Sequence, residues 1–289
     1  MEKQNESFYG LGIVPKIIEL IDRLKFKIPT PIQSKAIPIA IEGKDLIGVA
    51  QTGTGKTLAF GIPMVQRLLN ITGRGLVLVP TRELALQVDE TIRKIANYVN
   101  MRTAVLIGGA SMYNQVKVLR IRPRIIIATP GRLIDHLGQG NLRLNDVKVL
   151  VLDEADRMLD MGFAPQINEI MKHLSQDRQT MLFSATIPDK IVRIAATHMK
   201  LPVSVEIAPS GTATKNVIQE LFIIKKEEKK TLLLKLLEQY KGNVLVFTRT
   251  KFTVSKLTSW LRSLGYGAAE IHSNRTLSQR RDALEGFKT

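Results

Sequence analysis

Ala50-Gln51-Thr52-Gly53-Thr54-Gly55-Lys56-Thr57 follows a short apolar run, Asp45-Leu46-Ile47-Gly48-Val49, and precedes Leu58-Ala59-Phe60-Gly61-Ile62-Pro63-Met64-Val65. The first flank predicts a buried strand and the second the opening of a helix. Strand, glycine-rich turn and helix N-terminus together make a cradle for phosphate. Gly53 and Gly55 let the backbone take positive φ and turn its N–H groups inward. The helix start adds partial positive charge. Lys56 has the reach for β and γ phosphates, and the Thr57 hydroxyl suits Mg2+. Ala50 stands where the generic pattern has its first glycine. Read alone, the alternative for Gly-Lys-Thr is an ordinary loop-to-helix joint.

Downstream the chain alternates. Strand-like runs lie at Leu76–Val79, Ala104–Ile107, Ile125–Ala128, Val149–Leu152 and Thr180–Phe183, with helical patterns such as Glu83 to Tyr98 and Ile167 to Leu174 between them. Each run is apolar over most of its length, as parallel strands covered on both faces require. This alternation predicts a doubly wound α/β domain, whose ligands sit at the carboxyl ends of the strands. Upstream, Ile13 to Leu24 has helical apolar spacing. It is followed by Phe26-Lys27-Ile28-Pro29-Thr30-Pro31-Ile32-Gln33, read as a rigid, non-helical loop. In such a loop Phe26 could stack on a base and Gln33 could pair its carboxamide with an adenine edge. The alternative is a plain Pro-rich joint between helices.

Polar motifs fall where the strands end. Pro80-Thr81-Arg82-Glu83-Leu84, Gly108-Gly109 and Thr129-Pro130-Gly131-Arg132 each join a strand to a helix. They offer hydroxyls, small residues and arginine, a chemistry suited to sugar-phosphate contacts. Thr81 and Thr129 could equally be helix caps. Asp153-Glu154-Ala155-Asp156 leaves an apolar strand, which is costly unless the acids bind something. Asp153 is placed to hold Mg2+ and Glu154 to polarise a water. The competing reading is an acidic helix start. Ser184-Ala185-Thr186 ends the next strand, either bridging to the acidic cluster or capping a helix near Pro188.

Composition narrows the classes. Forty-two Lys and Arg oppose 26 Asp and Glu, a net charge of +16, which fits a nucleic-acid footprint as well as a solvated or membrane-facing surface. No cysteine is present, so disulfides and thiolate metal sites are excluded. The four histidines, His136, His173, His198 and His272, show no ligand spacing and read as surface or core residues. The polar start Met1 to Ser7 has no signal core, and no apolar run approaches a membrane span. A soluble cytoplasmic protein is the expectation.

The first domain is expected over 1–207. Residues 208–216 are small and polar and read as a linker. A second, unfinished α/β pattern covers 217–289. Strands are expected at Ile218–Ile224, Val244–Phe247 and Ala269–His272. Helices are expected at Lys229–Tyr240, Val254–Leu264 (which holds Trp260, the only tryptophan) and Gln279–Phe287.

In order, Phe26…Pro29-Thr30-Pro31-Ile32-Gln33, Ala50 to Thr57, Pro80 to Leu84, Gly108-Gly109, Thr129 to Arg132, Asp153-Glu154-Ala155-Asp156 and Ser184-Ala185-Thr186 closely resemble the motifs of the DEAD-box ATP-dependent RNA helicases, bacterial members in particular. The resemblance covers essentially the whole chain, Ala50 included. It implies a RecA-like P-loop domain, with a parallel sheet and helices on both faces, followed by a partial second RecA-like domain. It implies ATP and Mg2+. Phe26 and Gln33 would hold the adenine, with Phe8 supporting. Ala50, Gln51, Thr52, Gly53, Thr54, Gly55, Lys56 and Thr57 would bind ATP. Thr57 and Asp153 would hold the metal, and Lys56, Asp153 and Glu154 would act in hydrolysis. Pro80, Thr81, Arg82, Gly108, Gly109, Thr129, Pro130 and Arg132 would touch RNA backbone without reading sequence. Ser184, Thr186 and Asp156 would couple hydrolysis to strand separation. Val246 to Thr250 and the segment around Arg280 resemble early second-domain motifs.

The family's later stretches, Ala-Thr-Asp…Arg-Gly and His-Arg-x-Gly-Arg, are absent, so the chain resembles a C-terminally truncated helicase. Those stretches carry arginine fingers, whose loss costs on the order of 10³–10⁵ in rate. Two rival readings follow: a non-catalytic ATP- and RNA-binding fragment, and a DNA-acting P-loop translocase. Gln33 and Asp156, through the resemblance, speak against the second.

Overall fold

The computed structural model describes residues 7–207 and 218–288. The chain divides into two compact units, Met1–Gly211 and Thr212–Thr289. The segment 208–216, read as a linker, lies outside the described residues.

The larger unit is built on seven parallel strands: β1 Leu46–Val49, β2 Arg74–Leu78, β3 Thr103–Leu106, β4 Ile125–Ala128, β5 Val147–Leu152, β6 Gln179–Ser184 and β7 Val203–Glu206. Their spatial order is β3-β4-β2-β5-β6-β1-β7, and every pairing is parallel. Helices α1 Pro15–Arg23, α2 Pro31–Ile41, α3 Lys56–Asn70, α4 Arg82–Tyr98, α5 Met112–Arg120, α6 Pro130–Gly138, α7 Ala155–Asp160, α8 Ala164–Lys172 and α9 Asp189–His198 connect them. Strands β4 and β6 are buried along their whole length, as parallel strands covered on both faces require. Strand β7 escapes sequence reading. As an edge strand of sequence Val-Ser-Val-Glu it buries only Val205.

Register is fixed by buried polar groups as well as by apolar packing. The Asp45 carboxylate accepts the Thr180 N–H at 2.7 Å and the Lys200 N–H at 2.6 Å, tying the start of β1 to both neighbours. Gly48 lies opposite Phe183 in the β1–β6 ladder. Its missing side chain lets the Phe183 ring lie across β1 and meet Phe60 of α3, centroid to centroid at 5.4 Å. A Cβ on Gly48 would stand 2.6 Å from that ring. Gly48→Ala is therefore expected to cost about 1–3 kcal/mol through overpacking. The check is urea unfolding followed by far-ultraviolet dichroism. Adding Phe183→Leu should return part of the loss, and a Gly48→Ala variant as stable as the parent would refute this account of the core.

Two expectations need correction. Pro31, Ile32 and Gln33 are not loop but the first turn of α2. Proline at the first helical position has its φ already set and no N–H to leave unpaired. Gln33 then accepts the Thr30 N–H at 3.0 Å, as the third residue of a capping box does. The proline pair marks the start of a helix rather than a break.

The second correction concerns the smaller unit. It contains a 3-10 turn at Lys226–Glu228 and helices α10 Lys229–Gln239, α11 Lys251–Ser263 and α12 Leu277–Lys288. Thr250 caps α11, its hydroxyl accepting the Thr253 N–H at 3.2 Å. The three expected strands do not form among the described residues. Residues 218–224, 244–247 and 269–272 are not paired into a ladder, and Ile223 is 94% exposed. An apolar run supplies β propensity, but a strand exists only where a neighbour takes its N–H and C=O groups.

Candidate nucleotide and nucleic-acid site

All the polar motifs of the larger unit lie at the carboxyl edge of the sheet, in two contiguous halves. Strands β5, β6 and β1 are adjacent and end in Asp153, Ser184 and the Ala50 turn. Strands β3, β4 and β2 are adjacent and lead into Gly108, Thr129 and Thr81.

In the first half, Gly53 and Gly55 take φ of 85° and 89°. A Cβ on Gly55 would overlap the Gln33 carboxamide, whose Nε2 donates to the Gly55 carbonyl at 3.0 Å. The Gln33 side chain is thus engaged at both ends, by Thr30 and by the glycine turn, and is buried. Thr54 Oγ1 closes the turn by donating to the Gln51 carbonyl at 2.7 Å. Lys56, the first residue of α3, is 6% exposed, and its Nζ has no hydrogen-bond partner. Thr57 follows it, half-buried in the same first turn. A buried ammonium left unpartnered at a helix N-terminus, beside two left-handed glycines, fits a polyphosphate. Phe26 is exposed just before α2.

The acidic cluster is held in an unusual backbone. Glu154 adopts φ 51° and ψ 50°, a left-handed conformation uncommon outside glycine and concentrated at functional sites. Its N–H donates to Asp153 Oδ1 at 3.0 Å. Its carboxylate accepts from Thr52 Oγ1 at 3.3 Å and from Arg157 Nη1 at 3.0 Å. Asp153 is buried, and that burial pushes its carboxyl up to about 6, with Lys56 drawing it down and Glu154 pushing it further up. An oxygen donor set of Asp153 and Thr57 beside phosphate suits a hard divalent cation.

Asp156 ties this cluster to β6. Its N–H donates to Ser184 Oγ at 3.3 Å. Its Oδ2 accepts the Ala185 N–H at 3.1 Å, the Thr186 N–H at 3.0 Å and the Thr186 hydroxyl at 2.9 Å. Burial pushes the Asp156 carboxyl up, but its bonds with the Thr186 hydroxyl, the Arg157 N–H, Ser184 and the Thr186 N–H outweigh that and hold it below its ordinary value. A cavity of about 190 Å³ opens here, lined by Thr52, Lys56, Glu154, Asp156, Arg157, Asp160 and Ala185. Sequence reading missed Arg157 and Asp160. The signal available for Arg157 was its place three residues after Glu154, across the start of α7.

In the second half, Pro80 is buried and Thr81 caps α4 by accepting the Leu84 N–H at 3.2 Å. The Arg82 guanidinium lies against Gly108 and Gly109, and a Cβ on Gly109 (φ 75°) would overlap it. Thr129 precedes α6 without a side-chain cap, and Pro130 is that helix's first residue. Arg132 Nη1 donates to the Ala110 carbonyl at 3.0 Å, joining two of the loops. His136 is buried behind them: its Nε2 meets Gln115 Oε1 at 3.1 Å, and Gln115 Nε2 donates to the Ile107 carbonyl at 3.0 Å. Burial depresses the His136 pKa. The three joints are therefore braced from within.

The DEAD/DEAH box helicase family matches residues 30–194. An ATP-dependent rRNA helicase, RRP3, from Yarrowia lipolytica is 41% identical over 100% of this chain and 61% of its own length. A DEAD-box ATP-dependent RNA helicase, CshA, from Geobacillus kaustophilus is 42% identical over 98% of this chain and 61% of its own. The chain thus spans about three fifths of the length of these relatives. The crystal structure of a DEAD box protein from the hyperthermophile Methanococcus jannaschii superposes with a TM-score of 0.66 and 34% identity, covering 98% of this chain and 77% of that one. The motifs, the parallel sheet that carries them and these likenesses agree: the chain belongs to the DEAD/DEAH box helicase family.

Proposed function

We propose that this chain carries the ATP-hydrolysing core of an RNA helicase, in which RNA stimulates ATP hydrolysis and hydrolysis drives local separation of RNA strands. The observation that supports it best is Lys56, buried and unpartnered between the glycine turn and Asp153. The N–H groups of residues 52–57 and the Lys56 ammonium would bind the phosphates. Phe26 would stack on adenine. Gln33, with one hydrogen-bonding position left on each of its amide atoms, would read the adenine edge. Thr57 and Asp153 would hold Mg2+, which when bound supplies positive charge to offset the phosphates. The Glu154 carboxylate, fixed by Thr52 and Arg157, takes the proton of the attacking water. Pro80, Thr81, Arg82, Gly108, Gly109, Thr129, Pro130 and Arg132 would hold RNA by its backbone, so binding is indifferent to sequence and falls steeply with salt. Asp156, Ser184 and Thr186 would pass changes at the phosphates to β6. Among the described residues no helix is long and apolar enough to cross a membrane. The absence of cysteine fits a reducing compartment, and we place the protein in the cytoplasm.

The test is ATP hydrolysis by the 289-residue chain with and without single-stranded RNA. Turnover stimulated by RNA is the expected result. ATP binding with no turnover under either condition would identify a binding module in place of an enzyme.

A further inference from the structure

We infer that the outer face of α5 is a base-stacking platform that extends the RNA track beyond Gly108–Gly109. Tyr113 is the second residue of α5 and is 66% exposed. The Lys117 ammonium sits 4.5 Å over its ring. Arg120 follows at the next helical step, so Tyr113, Lys117 and Arg120 share one face at i, i+4 and i+7 over about 10 Å of axis. Val118 and Ile121 beside them are exposed as well. From Asp135 back to Glu90 the sequence has no acidic residue. Lys117, Arg120 and Arg122 pair with no carboxylate among the described residues.

An exposed aromatic ring among unneutralised cations is the composition that holds single-stranded nucleic acid, with the ring taking a base and the cations taking phosphates. Charge complementarity selects an RNA strand over an acid-poor protein surface. The platform is also rigid with respect to the proposed backbone contacts. On the inner face of α5, Gln115 bonds the Ile107 carbonyl next to Gly108 and meets His136 of α6. A strand leaving Gly108–Gly109 along α5 would meet Tyr113 in the first turn. The inference rests on the RNA-binding reading proposed above and adds to it a contact with a base.

The experiment is equilibrium binding of fluorescein-labelled oligouridine, and of the same oligomer made abasic, to the parent chain and to Tyr113→Ala, Tyr113→Phe and the Lys117→Ala/Arg120→Ala pair. Arg132→Ala serves as the backbone-contact control. Tyr113→Ala should weaken oligouridine binding about 5- to 150-fold, the range for one base stacked on a ring. Tyr113→Phe should bind as the parent does. On abasic RNA the Tyr113→Ala effect should vanish. The double variant should flatten the salt dependence by about 0.7 per cation removed. Unchanged affinity for a nucleotide analogue reports that each variant is folded. Tyr113→Ala binding as tightly as the parent, while Arg132→Ala binds weakly, overturns the platform and leaves the RNA reading standing. Equal losses on normal and abasic RNA overturn it too, because no base would then be involved. A parent chain that does not bind oligouridine removes the RNA reading and the platform together.

Discussion

On the proposed function, Glu154→Gln is expected to lower RNA-stimulated ATP turnover by about 10²–10⁴-fold, the contribution of one positioned general base, and to leave ATP affinity within a few-fold of the parent. Glutamine keeps the shape of the side chain but loses its negative charge and its capacity to take a proton. The surrounding bonds can survive the exchange. Arg157 Nη1, now 3.0 Å from Oε2, would keep the remaining carbonyl oxygen as its acceptor. The new amide N–H2 would face Thr52 Oγ1, a hydroxyl that accepts as readily as it donates. The left-handed backbone at Glu154 lies at the strand-to-helix joint, and its side chain makes no cap hydrogen bond. Single-turnover hydrolysis with saturating RNA separates the chemical step from binding. A variant that turns over at the parental rate while binding nucleotide normally would remove Glu154 from the chemistry. A variant that no longer binds nucleotide would show that Glu154 holds the pocket together instead.

The sheet could be read from the chain because burial on both faces writes itself as continuous apolar runs. Ile125–Ala128 is strand β4 residue for residue. The same signal misleads where its cause is missing. Val244 to Phe247 is as apolar as β4, yet without a partner strand it forms no ladder, since sequence encodes the appetite for a sheet and not the presence of one. Strand β7 shows the converse, an edge strand with too little buried face to leave a pattern. Local chemistry was ambiguous in the same way. The Thr81 hydroxyl accepts a helix N–H and so acts as a cap, which leaves its own O–H free to donate elsewhere; cap and contact are not exclusive. The order of motifs along the chain gave the edge on which they lie. It did not give the Arg157–Glu154 pair, the Asp156 hook onto β6 or the His136 brace. Each of these depends on side-chain directions that follow only from the packed fold.

Asp153 gives the second large effect, expressed as a dependence of stability on pH. Burial raises its carboxyl from 3.8 to about 6 in the folded protein. Between those values the native state binds the proton more tightly than the unfolded chain does. Stability contributed by this residue is therefore greatest at low pH and falls as pH rises through the window. Above it the buried carboxylate costs about 3 kcal/mol, the equivalent of the shift at 1.36 kcal/mol per unit. Asp153→Asn has no proton to lose. In metal-free, nucleotide-free buffer the variant's stability relative to the parent should rise by about 2–3 kcal/mol between about pH 4 and pH 7. Lys56 loses its counter-charge in the variant, which displaces the whole difference curve and leaves its slope in place. Far-ultraviolet dichroism during urea unfolding is the measurement, because the larger unit holds no tryptophan. With saturating Mg2+ and ATP the slope should disappear, since a cation beside Asp153 favours the carboxylate in the native state. A flat difference curve in the metal-free protein would mean that Asp153 is not desolvated as the fold implies. A slope that persists unchanged with Mg2+ and ATP would mean that Asp153 does not hold the metal. An acid kept costly in the metal-free protein and relieved by the cation would make loading with metal and nucleotide itself a stabilising event.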